Sequence, residues 1–215
     1  MKVTAVRTRI FKEGENLVAF VREHIPRLKE RTVLAVTSKI VALSERRTAR
    51  PAGKAADEAL IRSESTAVVP TKHVFLTIQG GMLTANAGID ASNAVEGVIL
   101  LPKYPSRSAA RLLRSLKRAY RVKRLGIVIT DSRTMPLRAG VTAVAIAYAG
   151  MKGLRDYRRK RDIFGRRFRY TQVNIPDSLA TASALTMGEG AERQPLAIVE
   201  DAPVAFASRT RKNEL

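Results

Sequence analysis

The chain has 215 residues, 45% hydrophobic and 27% charged, which suits one globular domain and excludes disorder, collagen-like repeats and a disulfide-stapled scaffold. It has no cysteine and only two histidines, His24 and His73, so thiolate zinc sites, cysteine nucleophiles and histidine-rich metal centres are out, and any metal would be held by oxygen, as Mg²⁺ or Mn²⁺ prefer. Thirty-nine Lys and Arg against nineteen Asp and Glu leave a net charge of +20, a surface that attracts polyanions such as nucleotides, nucleic acid or multi-carboxylate substrates.

Strand and helix patterns interleave, predicting a mixed α+β fold in a single domain, 1–215, with 201–215 as a basic tail. Alternation over Val3–Arg7 predicts a strand. Leu17, Phe20, Val21, His24 and Ile25 recur at helical spacing within Glu15–Ile25, which Pro26 closes. The β-branched run Thr32–Thr37 predicts a buried strand ending at the polar pair Ser38-Lys39. Ala52–Glu64 is polar and partly helical, and His73–Ile78 turns through Gln79-Gly80-Gly81 into Met82–Thr84 as a hairpin. A short strand at Val98–Leu101 stops at Pro102. Ser106–Tyr120 is the clearest amphipathic helix, with Ala109, Leu112, Leu113, Leu116 and Tyr120 on one face. Leu125–Thr130 is a buried strand ending in Asp131, and Val141–Ala149 is another. Ser178–Met187 is a helix running into Gly188-Glu189-Gly190, and Leu196–Val199 is the last strand. No apolar run reaches the ~18 residues of a membrane span, and Met1–Arg7 is too charged for a leader, so a cytoplasmic protein without a membrane partner is expected.

Three apolar segments each deliver an acid. In Ala85–Asn93 small residues and Gly88 allow close backbone approach, and Asp90 and Asn93 offer a carboxylate and an amide. Asp131 and Ser132 stand at the tip of a strand, and Glu189 between two glycines after a helix. Isolated carboxylates of this kind suit a Mg²⁺ cage completed by water and phosphate, though a turn cap, a helix cap and a solvated acid would use the same residues. Val36-Thr37-Ser38-Lys39 can offer a hydroxyl and an ammonium to a phosphate, without the glycines of a Walker loop. Arg138, in the turn Pro136–Gly140, suits bidentate binding of a carboxylate or phosphate. Both histidines fall on apolar faces and read as packing residues. The run Arg155–Arg169, interleaved with Tyr157, Phe164 and Phe168, suits nucleic acid, or equally a solvated loop that guides an anionic substrate.

Taken in order, Val36-Thr37-Ser38-Lys39-Ile40-Val41, Ala85-Asn86-Ala87-Gly88-Ile89-Asp90 with Ser92-Asn93, Ile129-Thr130-Asp131-Ser132, Pro136 with Arg138 and Gly140, Asp162 with Phe164-Gly165-Arg166, and Met187-Gly188-Glu189 resemble the coenzyme F420-0:γ-glutamyl ligase family. The resemblance runs from about Val3 to Val199. It implies a two-lobed α+β chain, an intertwined homodimer, and GTP-dependent formation of an amide between an anionic carboxylate acceptor and L-glutamate, with Mg²⁺ or Mn²⁺; ATP in place of GTP stays open. It implies Asp90 and Asp131 as ligands of one metal and Ser132 and Glu189 as ligands of a second. Ser38, Lys39, Asn93 and Gly188 are implied at the nucleotide, and Asp131 and Arg138 at the reacting groups. The family's N-terminal nucleotide contact falls at Thr8–Phe11, where the match is poor. After Ile129-Thr130-Asp131 the deazaflavin ligases continue Thr-Phe-Gly-Arg-Pro-Trp-Arg, against Ser132-Arg133-Thr134-Met135-Pro136-Leu137-Arg138 here. A lysine the family places after Ser-Lys-Ile-Val is Leu43. The acceptor is therefore expected to be F420-0-like or folate-like. The alternative is a basic nucleic-acid-binding protein that uses residues 155–169.

Overall fold

The computed structural model describes the whole chain except Asn93, Val95, Pro136, residues 209–213 and Leu215. The first half comprises β1 (Lys2–Val6), α1 (Leu17–His24), β2 (Thr32–Thr37), α2 (Ser38–Ser44), β3 (Thr48–Ala49), α3 (Lys54–Glu64), β4 (Ala67–Pro70), β5 (Phe75–Gln79), β6 (Met82–Ala85) and β7 (Val98–Ile99). The second half comprises α4 (Pro105–Tyr120), β8 (Leu125–Thr134), β9 (Val141–Ala149), β10 (Leu154–Asp156), β11 (Gln172–Asn174), α5 (Ile175–Met187) and β12 (Leu196–Glu200).

The main sheet has five strands in the order β1-β12-β2-β8-β9. Only β2 and β8 pair in parallel; the other neighbours are antiparallel. Successive residues of a strand face opposite sides, and here both sides are covered. Leu34, Val36, Leu125, Ile127 and Ile129 pack with Phe20 of α1, Val41 of α2 and Leu116 of α4. Val33 and Val128 point the other way, onto Leu179 and Ala180 of α5. Burial on both faces explains why β2 and the first part of β8 read as unbroken apolar runs. A second sheet, β4-β5-β6, and the two-strand pairs β3-β7 and β10-β11 lie outside this core, giving the mixed α+β class expected.

Several elements differ from the sequence reading. β2 ends at Ser38-Lys39 as expected, but the short helix that follows was not foreseen: with Thr37 as its cap, α2 starts at once and buries Ser38, Ile40, Val41 and Ala42. Seven residues are too few for a helical period to stand out in sequence. Strand β8 does not stop at Asp131 but continues to Thr134, with a register shift between Ile129 and Thr130. Its outer half alternates in burial because only its inner half lies between helices. His73 is exposed, not packed on an apolar face. His24 is half-buried: its Nδ1 donates to the Phe20 carbonyl and its Nε2 accepts the Arg9 N–H. Residues 201–208 do not trail away, since Lys152 N–H donates to the Ala205 carbonyl and Ala207 N–H to the Gly150 carbonyl; the basic residues of that tail lie outside the described residues.

Leu116 is fully buried between α4 and the sheet, whereas Leu185 on α5 is 88% exposed. In chemical denaturation Leu116→Ala is expected to lose about 2–5 kcal/mol and Leu185→Ala less than about 0.5 kcal/mol.

Candidate functional site

The parallel pair β2-β8 aligns Thr37 with Thr130, which brings the residues following each strand position side by side. Ser38, the first residue of α2, is 4% exposed and its hydroxyl donates to Asp131 Oδ1 at 2.6 Å. Lys39 points outward to the segment after β6. There Nζ stands 2.9 Å from Asp90 Oδ2 and donates to Ser92 Oγ at 2.8 Å, while Ser92 N–H donates to Asp90 Oδ1 at 2.6 Å.

Asp90 is presented by an unusual backbone. Asn86, Ala87 and Gly88 all lie in the left-handed region, with φ of 48°, 58° and 67°. Two side chains compensate: Asn86 Oδ1 accepts the Phe75 N–H at 2.9 Å, and Thr77 Oγ1 accepts the Ala87 N–H at 2.8 Å. Gly88 lies so close to Leu101 that a Cβ would meet Leu101 Cδ1 at 2.7 Å. Asp90 is then fixed by reciprocal backbone bonds with Ile99 of β7, at 3.0 and 2.8 Å. Such strain persists only where surrounding contacts over-determine it, and here it aims one carboxylate. The third acid, Glu189, follows α5. Gly188 has φ +80°, and a Cβ on it would meet the Glu192 carboxyl carbon at 2.5 Å; Gly190 N–H donates to Glu192 Oε2 at 2.8 Å.

A cavity of about 760 Å³ is lined by Ser38, Lys39, Asp90, Asp131, Ser132 and Glu189, and Gly188 also borders it. Arg9, Ile10 and Phe11 form part of its wall, so the N-terminal segment reaches the site despite its divergent sequence. Arg9 is gripped there by Glu15 and Glu23, each at 3.0 Å, and lies over the Phe20 ring. The wall carries four acids, Asp90, Asp131, Glu189 and Glu192, beside Arg9, Lys39 and Arg193, on a chain of net charge +20.

Burial pushes the Asp131 carboxyl up to about 6; the Ser38 hydrogen bond opposes this, and the Asp90 and Glu189 charges add to it. Burial also raises Glu189, with Asp90 and Glu192 pushing the same way and Lys39 opposing. For Asp90 burial acts upward, but the hydrogen bonds from Lys39 and Ser92 outweigh it and hold the group below its ordinary range. Like charges facing a desolvated carboxyl mark a site short of positive charge.

The donors are all hard oxygens, which fits Mg²⁺ or Mn²⁺. Among the described residues no three Asp, Glu or His side chains are gathered into one cluster, so the single three-acid cage is not assembled. Pairwise holding, one or two carboxylates per ion with water and phosphate completing the shell, remains chemically apt. Arg138 is exposed on the β8–β9 turn and lines neither this cavity nor the smaller one beside it, while Asn93 and Pro136 lie outside the described residues. Residues 155–169 stand apart from both cavities in a ribbon between β10 and β11. There Arg158 pairs with Asp156 at 2.7 Å and the Tyr157 and Phe168 rings meet edge to face at 6.3 Å.

Sequence reasoning missed Thr37 and Arg133 as site residues. Thr37 Oγ1 and Arg133 Nε are buried without a hydrogen-bond partner among the described residues, and both residues line the cavities. Each adjoins a residue already singled out, but an orphaned atom is visible only in three dimensions.

Two outcomes follow from this geometry. Gly88→Ala, combining φ +67° with a clash on Leu101, is expected to cost about 1–3 kcal/mol in denaturant unfolding. For Asp131 the folded value, about 6, exceeds the ordinary 3.8. The folded state therefore binds the extra proton, and stability falls as pH rises through that window. Asp131→Asn removes that loss, so metal-free variant protein should be more stable than the parent at pH 7.5 by up to about 3 kcal/mol. The difference should vanish as pH drops to the ordinary carboxylate range, as measured by denaturant unfolding across pH.

The family model described as F420-0:Gamma-glutamyl ligase matches residues 5–201. A protein named coenzyme F420:L-glutamate ligase from Methanococcus maripaludis (strain C7) is 30% identical over 203 residues, covering 86% of this chain and 82% of that protein. One of the same name from Archaeoglobus fulgidus is 30% identical over 213 residues, with coverage of 91% and 85%. Another, from Methanopyrus kandleri, is 42% identical over 143 residues, 66% of this chain and 56% of that protein. With the match reaching each strand of the main sheet and including Asp90, Asp131, Glu189 and Glu192 of the cavity, the chain belongs to the F420-0:γ-glutamyl ligase family.

Proposed function

We propose that this protein is a GTP- and divalent-cation-dependent ligase that joins L-glutamate through an amide bond to an F420-0-like or folate-like carboxylate, by way of an acyl phosphate. The observation that carries this is the convergence of Ser38, Lys39, Asp90, Asp131, Ser132 and Glu189 on one cavity. A free carboxylate does not react with an amine at neutral pH and must be activated. An acceptor carboxylate oxygen attacks the γ-phosphorus of GTP, the bond to the β-phosphate oxygen breaks, and GDP leaves. The glutamate amine then attacks the acyl carbon, and the amide forms with release of inorganic phosphate and a proton. This chemistry is mostly positioning and charge stabilisation, which is why it needs no cysteine or histidine nucleophile.

Mg²⁺ or Mn²⁺, held by Asp90 with Asp131 and by Ser132 with Glu189, would neutralise charge on the phosphate oxygens. The Lys39 ammonium is a donor that can exchange Asp90 for a phosphate oxygen, and the unpartnered Thr37 hydroxyl and the glycine-flanked Glu189 turn offer further polar contacts on the same wall. The protein works, in this reading, as a homodimer; support comes from one face of the β4-β5-β6 sheet, where Val69, Leu76 and Ile78 are exposed together. No described helix is long and apolar enough to cross a membrane.

The test is incubation with L-glutamate, Mg²⁺ or Mn²⁺, GTP or ATP, and a panel of deazaflavin and folate acceptors, with product masses read for a glutamyl increment. Asp131→Asn is expected to lower the rate on the order of a thousandfold, about 4 kcal/mol, while the protein stays folded. Glutamyl addition within about tenfold of the parent rate would overturn the role given to this carboxylate.

A further inference from the structure

A second cavity, of about 190 Å³, lies against the first and shares with it the wall made by Ser38, Lys39, Asp90, Asp131 and Ser132. The larger chamber has the volume for a nucleotide; the smaller fits one end of a ligand. Arg133 lines only the smaller chamber, together with Thr84 and Ala85 of β6. It lies two residues beyond Asp131 on β8, and side chains spaced by two share a face of a strand, about 6.6 Å apart along it. Asp131 and Arg133 therefore share one face of β8, Asp131 lining both chambers and Arg133 the smaller one alone.

The charges of that chamber are unevenly matched. Lys39 is committed to Asp90 and Ser92. The Arg133 side chain makes no hydrogen bond or ion pair with any described residue, and its Nε is buried without an acceptor. A guanidinium keeps its charge at all accessible pH and presents a planar fork of donors matched to an oxyanion. A guanidinium whose Nε is buried without an acceptor, on a half-buried residue lining a chamber, is a binding group awaiting a ligand.

We propose that the smaller chamber is an oxyanion subsite for the acceptor and that Arg133 is its specificity-determining residue, binding a carboxylate or phosphate group of the acceptor other than the one that reacts. The inference rests on the ligase reading above and adds to it which part of the site recognises the acceptor.

Steady-state kinetics of glutamyl addition with F420-0 and with folate test it. Arg133→Gln is expected to raise the acceptor KM at least about tenfold while leaving the KM values for GTP and L-glutamate within about twofold. Arg133→Lys should fall between, near threefold, because it keeps the charge but loses the fork. Glutarate and methyl phosphate, added as competitors to the parent enzyme, separate the two sources: competition against the acceptor by glutarate marks a carboxylate subsite, by methyl phosphate a phosphate subsite. Thermal melting checks that the variants fold, and if the glutamine variant does not, the lysine variant decides. An unchanged acceptor KM in the variants, competition by neither probe, or an equal rise in the KM for GTP would overturn the subsite while leaving the ligase reading intact. A parent enzyme that adds glutamate to no acceptor would overturn the ligase reading and the subsite with it.

Discussion

The whole site depends on the parallel pairing of β2 with β8. These strands lie in the middle of the sheet with helices on both faces, so their register is held by two cores at once, and a slip of one residue would turn every apolar side chain to the wrong layer. That register sets Thr37 beside Thr130 and therefore Ser38 beside Asp131. The hydrogen bond between them opposes the burial that raises Asp131 without overcoming it. The acid is thus held above the ordinary carboxylate range.

The second requirement is that two other acids be brought to Asp131 from distant parts of the chain. For Asp90 this is done by a strained backbone held by Asn86, Thr77 and Leu101, and for Glu189 by the end of α5. Each approach costs electrostatic energy, because carboxylates repel across a desolvated space. Lys39 relieves part of it by pairing with Asp90. The arrangement makes sense for a site that works with cations and phosphates bound, where the same charges turn from mutual repulsion to ligand attraction.

The overall positive charge and the acidic cavity are then complementary. An excess of Lys and Arg over the surface attracts anions toward the molecule, while in the proposed function the local acids hold the cations that accompany phosphate. Arg133, standing past Asp131 without a protein partner, places one positive group on the far side of that acidic wall. Two chambers joined at a shared row of residues would, in the proposed reaction, separate two anionic substrates.

Apolar periodicity determined the mixed fold, the long amphipathic helix at Ser106–Tyr120 and the central strands, because these depend on local pattern, while charge and the missing cysteine bounded only the partners and the chemistry. The string from Asn86 to Asp90 was legible as a tight, glycine-dependent turn carrying an acid, although the three consecutive left-handed residues were not, since Asn and Gly tolerate positive φ but Ala does not favour it, and only the bonds to Phe75 and Thr77 show how the run is held. Helix α2 was hidden by its shortness, and the continuation of β8 past Asp131 by the change from two-sided to one-sided burial. Which acids meet, which cation is already spoken for and which is left free were decided by tertiary structure alone. Electrostatic partnership depends on distance and desolvation, and both arise only when segments far apart in the chain are packed against one another.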